Sequence, residues 1–239
     1  MKEPQDRSII SELEKTSHHE RIEQADTQAP KSKYYDLTTH ISERTVVFPG
    51  DPEYSMQKVC SIDEGNSFNL CHMQLGNHTG THIDYPAHVI KEGKTSSDFS
   101  IDHLIGSGII IKVPDTEKSI TKSFITEQSI MSSDIVFFKT ANSKLSKQDK
   151  FKDNYVYIEP EAAEELLRKQ VRIIGIDYIS VDKYDAEDLP VHKSLLSNEV
   201  LIVEGLELNN APIGRCEIYI MPLNISNMDG LPVRVVAKV

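Results

Sequence analysis

One short stretch of this chain concentrates side chains that bind divalent metal ions. It runs from Gly76 to His88 and contains His78, His82 and His88, three of the nine histidines, together with Asp84. Imidazole nitrogens and carboxylate oxygens are ligands that suit zinc, manganese or iron. Two imidazoles and one carboxylate would leave coordination positions open for water, which is typical of a catalytic metal rather than a structural one.

The backbone conformation of this stretch decides which of these side chains meet. His78 and His82 are four residues apart, a spacing that on a helix would place both imidazoles on one face. The central Gly80, its β-branched neighbours and Pro86 instead favour extended backbone. Alternate side chains of an extended chain share a face, so His78, His82 and Asp84 are predicted to line one side. A surface strand that carries these residues by chance is the simpler alternative, and their density argues against it.

The same stretch resembles the signature of a known family of metal-dependent hydrolases, the cyclase family, which includes bacterial kynurenine formamidases and isatin hydrolases. That signature reads His-x-Gly-Thr-His-x-Asp-x-Pro-x-His, and residues 78–88 match it. The resemblance implies that His78, His82 and Asp84 bind the metal and that His88 is the catalytic acid/base.

The resemblance extends from about Tyr34 to the C-terminus. The segment 191–206 looks like the distal ligand segment of the family, so His192 and Glu204 are expected to complete the metal site or to bind a second ion beside the first. The implied cofactor is therefore one or two ions of zinc or manganese. In relatives an aromatic residue before Pro-Gly-Asp, commonly tryptophan, lies near the substrate; here it is Phe48, and the chain has no tryptophan.

The resemblance implies hydrolysis of an amide bond in a small molecule, with N-formylkynurenine as the leading substrate and kynurenine and formate as products. Ring formation or lactam opening, as in isatin hydrolases, is the alternative within the family. An Fe(II) oxygenase could use His82, Asp84 and His192 as a facial triad, but it would need neither His78 nor His88. A third interpretation is a binding module whose metal only braces the fold, which predicts a closed site.

Composition narrows the range of partners. The formal net charge is −11 and no basic stripe is visible, which argues against nucleic acid and anionic membranes. No apolar run is long enough for a membrane helix. The scattered Cys60, Cys71 and Cys216, with no signal peptide apparent, indicate a cytoplasmic protein without disulfides, and the cysteines are expected to be buried. Family members are usually dimers or larger, so a homodimer or higher homo-oligomer is expected.

The remaining residues predict how the chain is organised. Residues 1–33 are polar and charged with few apolar side chains, so they are predicted to form a disordered or loosely docked tail. The predicted hydrolase domain is 34–239, long enough for one large core. Residues 55–60 and 68–75 alternate as two strands of a hairpin.

The second half of the domain predicts alternating strands and helices. Pro160–Gln170 is the clearest helix, with proline and acidic residues at its start and basic residues at its end. Extended residues around Tyr157 precede this helix and the apolar strand 172–177 follows it, an order that suggests a right-handed crossover between parallel strands. Asp177 and Ser180 lie at the carboxyl end of the second strand. Asp177 is read equally well as a structural hydrogen-bonding residue. The pattern predicts an α/β protein, and the resemblance implies a single compact domain with helices packed around a curved mixed sheet.

Overall fold

The computed structural model describes residues 34–145 and 150–239. The segment 1–33, predicted to be a tail, lies outside the described residues. Within the described ranges, no helix is both long and apolar enough to cross a membrane.

Twelve strands and four α-helices make up the described part of the chain. The strands are β1 Tyr34–Asp36, β2 Ser55–Cys60, β3 Leu70–Gln74, β4 His82–Asp84, β5 Ile105–Lys112, β6 Ser119–Ile120, β7 Ile135–Lys139, β8 Tyr157–Ile158, β9 Ile173–Ile176, β10 Leu201–Glu204, β11 Gly214–Pro222 and β12 Gly230–Lys238. The helices are α1 Ile101–Leu104, α2 Lys122–Glu127, α3 Pro160–Arg168 and α4 Pro190–Leu196.

Eight of the strands form one mixed sheet that closes on itself. Their order is β1-β12-β11-β5-β7-β9-β10-β4, and β4 pairs additionally with β12. The central strands β5, β7, β9 and β10 are parallel to one another. The remaining pairings of the ring, β5 with β11, β11 with β12, β12 with β4 and β4 with β10, are antiparallel. The result is a curved, barrel-like sheet in which β4, the strand that carries predicted metal ligands, closes the ring. This agrees with the single curved mixed sheet that the family resemblance implies.

Alternation along the strands divides the apolar side chains between two cores. Ile83, Phe137 and Val203 belong to the cluster inside the ring. Phe138 and Ile202, their neighbours along the chain, belong to a second cluster between the outer face of the sheet and helices α2, α3 and α4. Each of these side chains is fully buried, which typically contributes roughly 1.5–3 kcal/mol. The helices therefore pack on the outer face of the sheet, and a helical residue can join the predicted ligands of β4 only from that side.

Most elements agree with the sequence predictions. The hairpin is present as β2 and β3, and the predicted helix is α3, which ends at Arg168. One connection differs, because the short strand before α3, β8, pairs with β6 in a separate small sheet. The parallel strands joined through α3 are therefore β7 and β9.

The prediction that the cysteines are buried is wrong. Cys71 is exposed, and Cys60 and Cys216 are only partly buried, although all three are free as predicted. The reason for two of them is their position, since Cys60 and Cys71 lie on the β2–β3 hairpin, which stands away from both cores.

Candidate metal centre

Strand β4 presents two of the predicted ligands on one face. His82 and Asp84 are both buried and alternate with Ile83, which points into the core of the ring. Strand β10 runs antiparallel beside it and places Glu204 opposite His82. The Nε2 atom of His82 lies 3.4 Å from Oδ1 of Asp84 and 3.5 Å from Oε2 of Glu204. The pairing of β10 with β4 thus places the carboxylate of Glu204 beside His82 and Asp84.

A close backbone contact fixes the distance between these two segments. Gly205 follows Glu204 with φ at +65°, and a Cβ atom there would lie 2.2 Å from the carbonyl oxygen of Gly80. Only glycine fits such an approach in this left-handed conformation. The hydroxyl of Thr81 donates to the carbonyl oxygen of Gly205 at 2.6 Å, which holds the two segments together.

His78 joins the group from a turn, and not from the extended backbone predicted by the sequence. Strand β4 starts only at His82, and the chain turns over residues 76–79. Gly80 has a φ of +68°, the left-handed region that interrupts a strand. The predicted convergence is nevertheless present, since Nδ1 of His78 lies 2.7 Å from Oδ1 of Asp84.

Helix α4 supplies His192 with its ring already oriented. The carboxylate of Asp182 accepts hydrogen bonds from the backbone N–H of Val191 at 2.9 Å and of His192 at 3.1 Å, and Nδ1 of His192 lies 2.7 Å away. The other ring nitrogen, Nε2, faces the site at 3.2 Å from Glu204 and 3.6 Å from Asp84. A carboxylate behind an imidazole is the arrangement that commonly orients a metal-binding histidine.

Together these side chains form a donor set that fits a divalent cation. One atom each from His78, His82 and Asp84 lie within 4.8 Å of one another, and the same holds for Asp84, His88 and His192. The Oδ2 atom of Asp84 is buried, and the described part of the chain offers it no hydrogen-bond partner. A buried carboxylate oxygen without a hydrogen bond is costly, and here only the imidazole of His192 lies near it, at 3.6 Å. A bound cation would supply the missing interaction.

In the absence of a cation, the carboxylates hold protons on the imidazoles. Burial alone would lower the pKa of His78, but the hydrogen bond and charge of Asp84 outweigh burial and raise the pKa to about 9. Burial would lower the pKa values of His82 and His192 too, but the surrounding carboxylates together outweigh it and raise both. Asp84 has the largest such effect on His82, and Glu204 has the largest on His192. A cation that binds here must therefore displace protons, so its affinity should increase with pH.

His88 lies beside the predicted ligands at the opening of the site. It ends a short 3₁₀ helix, Pro86–His88, and its ring centroid lies 4.2 Å from that of His78 and 5.6 Å from that of His192. Burial lowers the pKa of His88 below its ordinary value of 6.5. Its imidazole is therefore neutral near pH 7, the form that can accept a proton.

An open cavity of about 200 Å³ lies over these side chains. Apart from the histidines and Glu204, its wall consists of Phe48, Asp51, Ile179, Ser180 and Leu189. The ring centroid of Phe48 lies 5.6 Å from that of Phe151 and 5.9 Å from that of Tyr184. One side of the cavity is therefore backed by aromatic rings.

Two carboxylates that contact the site's histidines were not predicted from the sequence. Asp182 orients His192, and Oδ2 of Asp229 lies 3.2 Å from Nε2 of His78 and 3.6 Å from Nδ1 of His88. The sequence carried a signal for Asp182, because this residue follows the buried strand β9 and functional groups often lie beyond the carboxyl ends of parallel strands. Asp229 precedes a glycine and reads as part of an ordinary turn.

Of the two residues singled out after strand β9, only Ser180 lines the cavity. The buried carboxylate of Asp177 accepts hydrogen bonds from the backbone N–H groups of Thr140 at 2.9 Å and Ser143 at 3.0 Å. Burial raises its pKa despite these bonds. Asp177 therefore holds the 3₁₀ helix Ala141–Lys144 against the sheet, which is the structural role left open above.

Known proteins resemble this chain over nearly its whole described length. Residues 35–183 match the family model described as a putative cyclase. A kynurenine formamidase from Salinibacter ruber is 35% identical over 85% of this chain and 96% of its own length, and one from Bacillus anthracis is 31% identical over 87% and 98%.

Two solved structures have the same fold. One, described as a potential metal-dependent hydrolase with cyclase activity, has a TM-score of 0.74 and 33% identity over 85% of this chain and 96% of that one. Isatin hydrolase A from Labrenzia aggregata has a TM-score of 0.75 over 86% of this chain and 93% of that one; at 21% identity it shows the fold alone.

Proposed function

This chain belongs to the cyclase family, and from that premise we propose that it is a metal-dependent hydrolase that cleaves the formamide bond of N-formylkynurenine to give kynurenine and formate. The similarity to kynurenine formamidases over most of both chains supports this substrate. The observation that carries the proposal is the convergence of three imidazoles on Asp84, whose buried Oδ2 atom lies 3.6 Å from Nε2 of His192 and accepts no hydrogen bond within the described ranges.

The metal would be held by Asp84 and the four side chains around it, as one ion or as two adjacent ions. These are His78, His82, Asp84, His192 and Glu204. A bound zinc or manganese ion would supply a water molecule whose pKa falls from 15.7 toward about 7 and would polarise the substrate carbonyl. The protein keeps Nε2 of two imidazoles directed at the site, because Nδ1 of His82 lies 3.0 Å from the carbonyl oxygen of Gly80 and Nδ1 of His192 contacts Asp182.

His88 would move the proton during the reaction. Its neutral ring lies at the mouth of the site, where it can take a proton from the attacking water and return it to the departing nitrogen. Such acid/base catalysis typically contributes roughly 10² to 10⁴ in rate. Asp229 lies 3.6 Å from Nδ1 of His88, close enough for its charge to stabilise the protonated ring between these two steps.

Phe48 would bind the aryl part of the substrate. It lies in the cavity wall and is supported by Phe151 and Tyr184. Aromatic rings favour stacked and edge-to-face contacts with one another, so this wall suits a substrate with an aromatic ring.

The test begins with metal analysis of protein purified without added ions. Protein loaded with zinc or manganese is then assayed under anaerobic conditions for release of formate from N-formylkynurenine and, in parallel, for opening of isatin. We expect conversion of N-formylkynurenine without oxygen. Conversion of isatin alone would replace the substrate, and a requirement for oxygen would favour the iron oxygenase interpretation.

The cytoplasm is the setting that we propose for this activity. Cys60, Cys71 and Cys216 are all free thiols, and unpaired cysteines are typical of reducing compartments. Location of a fluorescent fusion would check this.

A further inference from the structure

One tight turn places an aromatic ring and a carboxylate together in the wall of the cavity over the candidate metal centre. The backbone N–H of Asp51 donates to the carbonyl oxygen of Phe48 at 3.0 Å, and Gly50 has a φ of +102°. With Pro49 before the glycine, this is a type II β-turn. Phe48 and Asp51, its first and last residues, both line the cavity.

Asp51 brings a negative charge to this wall that the metal would not use. Of the described residues that line the cavity, only Asp51 and Glu204 carry carboxylates, and Glu204 belongs to the proposed ligand set. The side chain of Asp51 is exposed and makes no hydrogen bond or ion pair within the described ranges. The wall therefore offers a free carboxylate beside the ring of Phe48.

A second recess, of about 270 Å³, shares Phe48 and Asp51 with the cavity and is here called the side recess. Glu43 and Glu53 line the side recess but not the cavity, so Asp51 is the carboxylate that the two spaces have in common. Arg44 also lines the side recess. Its guanidinium group is exposed and pairs with no carboxylate in the described part of the chain. Opposite charges that share a recess without pairing are available to a ligand that carries both charges.

The backbone under Arg44 is held by a second turn. The N–H of Thr45 donates to the carbonyl oxygen of Ser42 at 2.9 Å, and the N–H of Ser42 donates to Oγ1 of Thr45 at 2.7 Å. The N–H of Arg44 itself donates to Oγ of Ser42 at 3.2 Å. A segment that is already ordered loses less conformational entropy when it binds a ligand.

We propose that the side recess binds the amino acid end of the substrate, with Asp51 accepting hydrogen bonds from its α-ammonium group and Arg44 donating to its α-carboxylate. This assignment rests on the proposed function, and it makes Asp51 and Arg44 the residues that select an aromatic α-amino acid. A guanidinium group can bind a carboxylate through two parallel hydrogen bonds, and hydrogen bonds between charged groups are stronger than neutral ones.

The spacing of the groups in N-formylkynurenine matches the turn that carries Phe48 and Asp51. Four covalent bonds of about 1.5 Å each join the ring to the ammonium nitrogen, so the two are at most about 6 Å apart. The Cα atoms of the first and last residues of a β-turn lie less than about 7 Å apart. A ring that contacts Phe48 therefore has its ammonium group within reach of Asp51.

Binding of kynurenine, the product that keeps the ring and the amino acid end, tests the side recess separately from catalysis. Calorimetric titration of the metal-loaded full chain compares kynurenine with ortho-aminoacetophenone, which lacks the amino acid end. We expect Asp51→Asn and Arg44→Gln each to raise the dissociation constant of kynurenine about 10- to 100-fold, because each removes hydrogen bonds between charged groups. Asp63→Asn is the control, since Asp63 is exposed between β2 and β3, outside both spaces.

Two analogues with a single charge assign the two contacts. Kynuramine keeps the ammonium group and lacks the carboxylate, so Asp51→Asn should weaken its binding more than Arg44→Gln does. The deaminated analogue keeps the carboxylate, and the order of the two variants should reverse. Both replaced side chains are exposed, so the variants should fold. Failure of kynurenine to bind more tightly than ortho-aminoacetophenone, or equal effects of both variants on both analogues, would overturn the proposal.

Release of formate separates this proposal from the proposed function. If N-formylkynurenine and formylated ortho-aminoacetophenone are hydrolysed with equal kcat/KM, the formamidase reaction stands and the role of the side recess is refuted. If no formate is released although kynurenine binds through Asp51 and Arg44, the proposed reaction fails and the role of the side recess stands.

Discussion

Asp84 is the residue on which the geometry of the candidate site depends. It is fully buried, and its two oxygens lie 2.7 Å from His78, 3.4 Å from His82 and 3.6 Å from His192. Burial would raise the pKa of Asp84, but the charges and hydrogen bonds of His82, His192 and His78 together lower it well below its ordinary value. Asp84 is therefore ionised at any pH at which the protein works, and it can serve as a shared ligand for one or two ions.

At the same scale, replacement of His88 should separate catalysis from metal binding. Because the ring lies beside the predicted ligands and is proposed to transfer the proton, His88→Ala should lower kcat/KM by roughly 10² to 10⁴ while metal content stays unchanged. Steady-state kinetics and metal analysis of the same preparation measure both quantities. The exposed His40 provides the control substitution, His40→Ala. Full activity of His88→Ala would refute the role, and joint loss of metal and activity would make His88 a ligand.

The raised pKa of His78 makes the stability of metal-free protein depend on pH. Burial opposes the effect of Asp84, but the pKa still reaches about 9, against an ordinary value of 6.5. Because the folded state holds this proton more tightly, the contribution is complete below pH 6.5 and is lost as the pH rises through about 9. His82 and His192, whose pKa values are also raised, act in the same direction.

We therefore expect the unfolding free energy of metal-free protein to fall between pH 6.5 and about 9 in urea titrations. His78→Asn, which cannot take up the proton, should show a shallower fall. Equal slopes for the variant and the wild type over this interval would contradict the prediction.

At the scale of the element, Asp182 holds both the start of helix α4 and the imidazole of His192 that the helix carries into the site. The same carboxylate accepts hydrogen bonds from two backbone N–H groups at the start of the helix and contacts Nδ1 of His192. A loss of this contact would let the imidazole rotate or change tautomer without unfolding the helix. The element and the ligand are thus positioned by one group.

Asp182→Asn should accordingly lower metal affinity about 10- to 100-fold. Titration of metal-free protein against a competing chelator measures the change. Asp185→Asn is the matched control, because Asp185 lies three residues further on and is exposed, paired only with Lys183 among the described residues. Unchanged affinity in Asp182→Asn would show that packing alone orients His192.

Features that depend on neighbouring residues were predicted from the sequence, and features that depend on contacts between distant segments were mostly missed. Local patterns predicted β2 and α3, and the density of donors from His78 to His88 predicted the candidate site. The turn at Gly80 was missed because its φ depends on the close approach of Gly205, which is distant in sequence. Asp229 was missed for the same reason, since it reaches the site only through contacts with His78 and His88, which are distant in sequence. Asp182 lies only ten residues before His192, and it was missed because no local pattern predicts that the chain between them turns back.

At the scale of the whole molecule, the candidate centre joins the strand that closes the ring to the helical layer outside it. Strand β4 contributes His82 and Asp84, β10 contributes Glu204 and α4 contributes His192. A cation bound by all three elements would be absent from the unfolded chain. Metal binding should therefore stabilise the entire fold and not only the site.

Removal of metal with a chelator should lower the melting temperature. A ligand at one hundred times its dissociation constant contributes about 2.7 kcal/mol, which for a protein of this size corresponds to roughly 5–11 °C. Calorimetry with and without metal measures the shift. In Asp84→Asn, which lacks the shared carboxylate, added metal should raise the melting temperature little. A shift as large as that of the wild type would place the stabilising ion elsewhere.

The contact between Gly205 and the carbonyl oxygen of Gly80 limits how this centre can be grafted onto another protein. Residues 76–88 carry three of the predicted ligands. If only these residues are grafted onto another scaffold, the graft lacks strand β10, which packs against them and fixes their position. The graft has to include Glu204 and Gly205 as a second, inseparable piece, since any larger side chain at position 205 would push the halves apart. Two short segments, remote along the chain, behave as one transferable part.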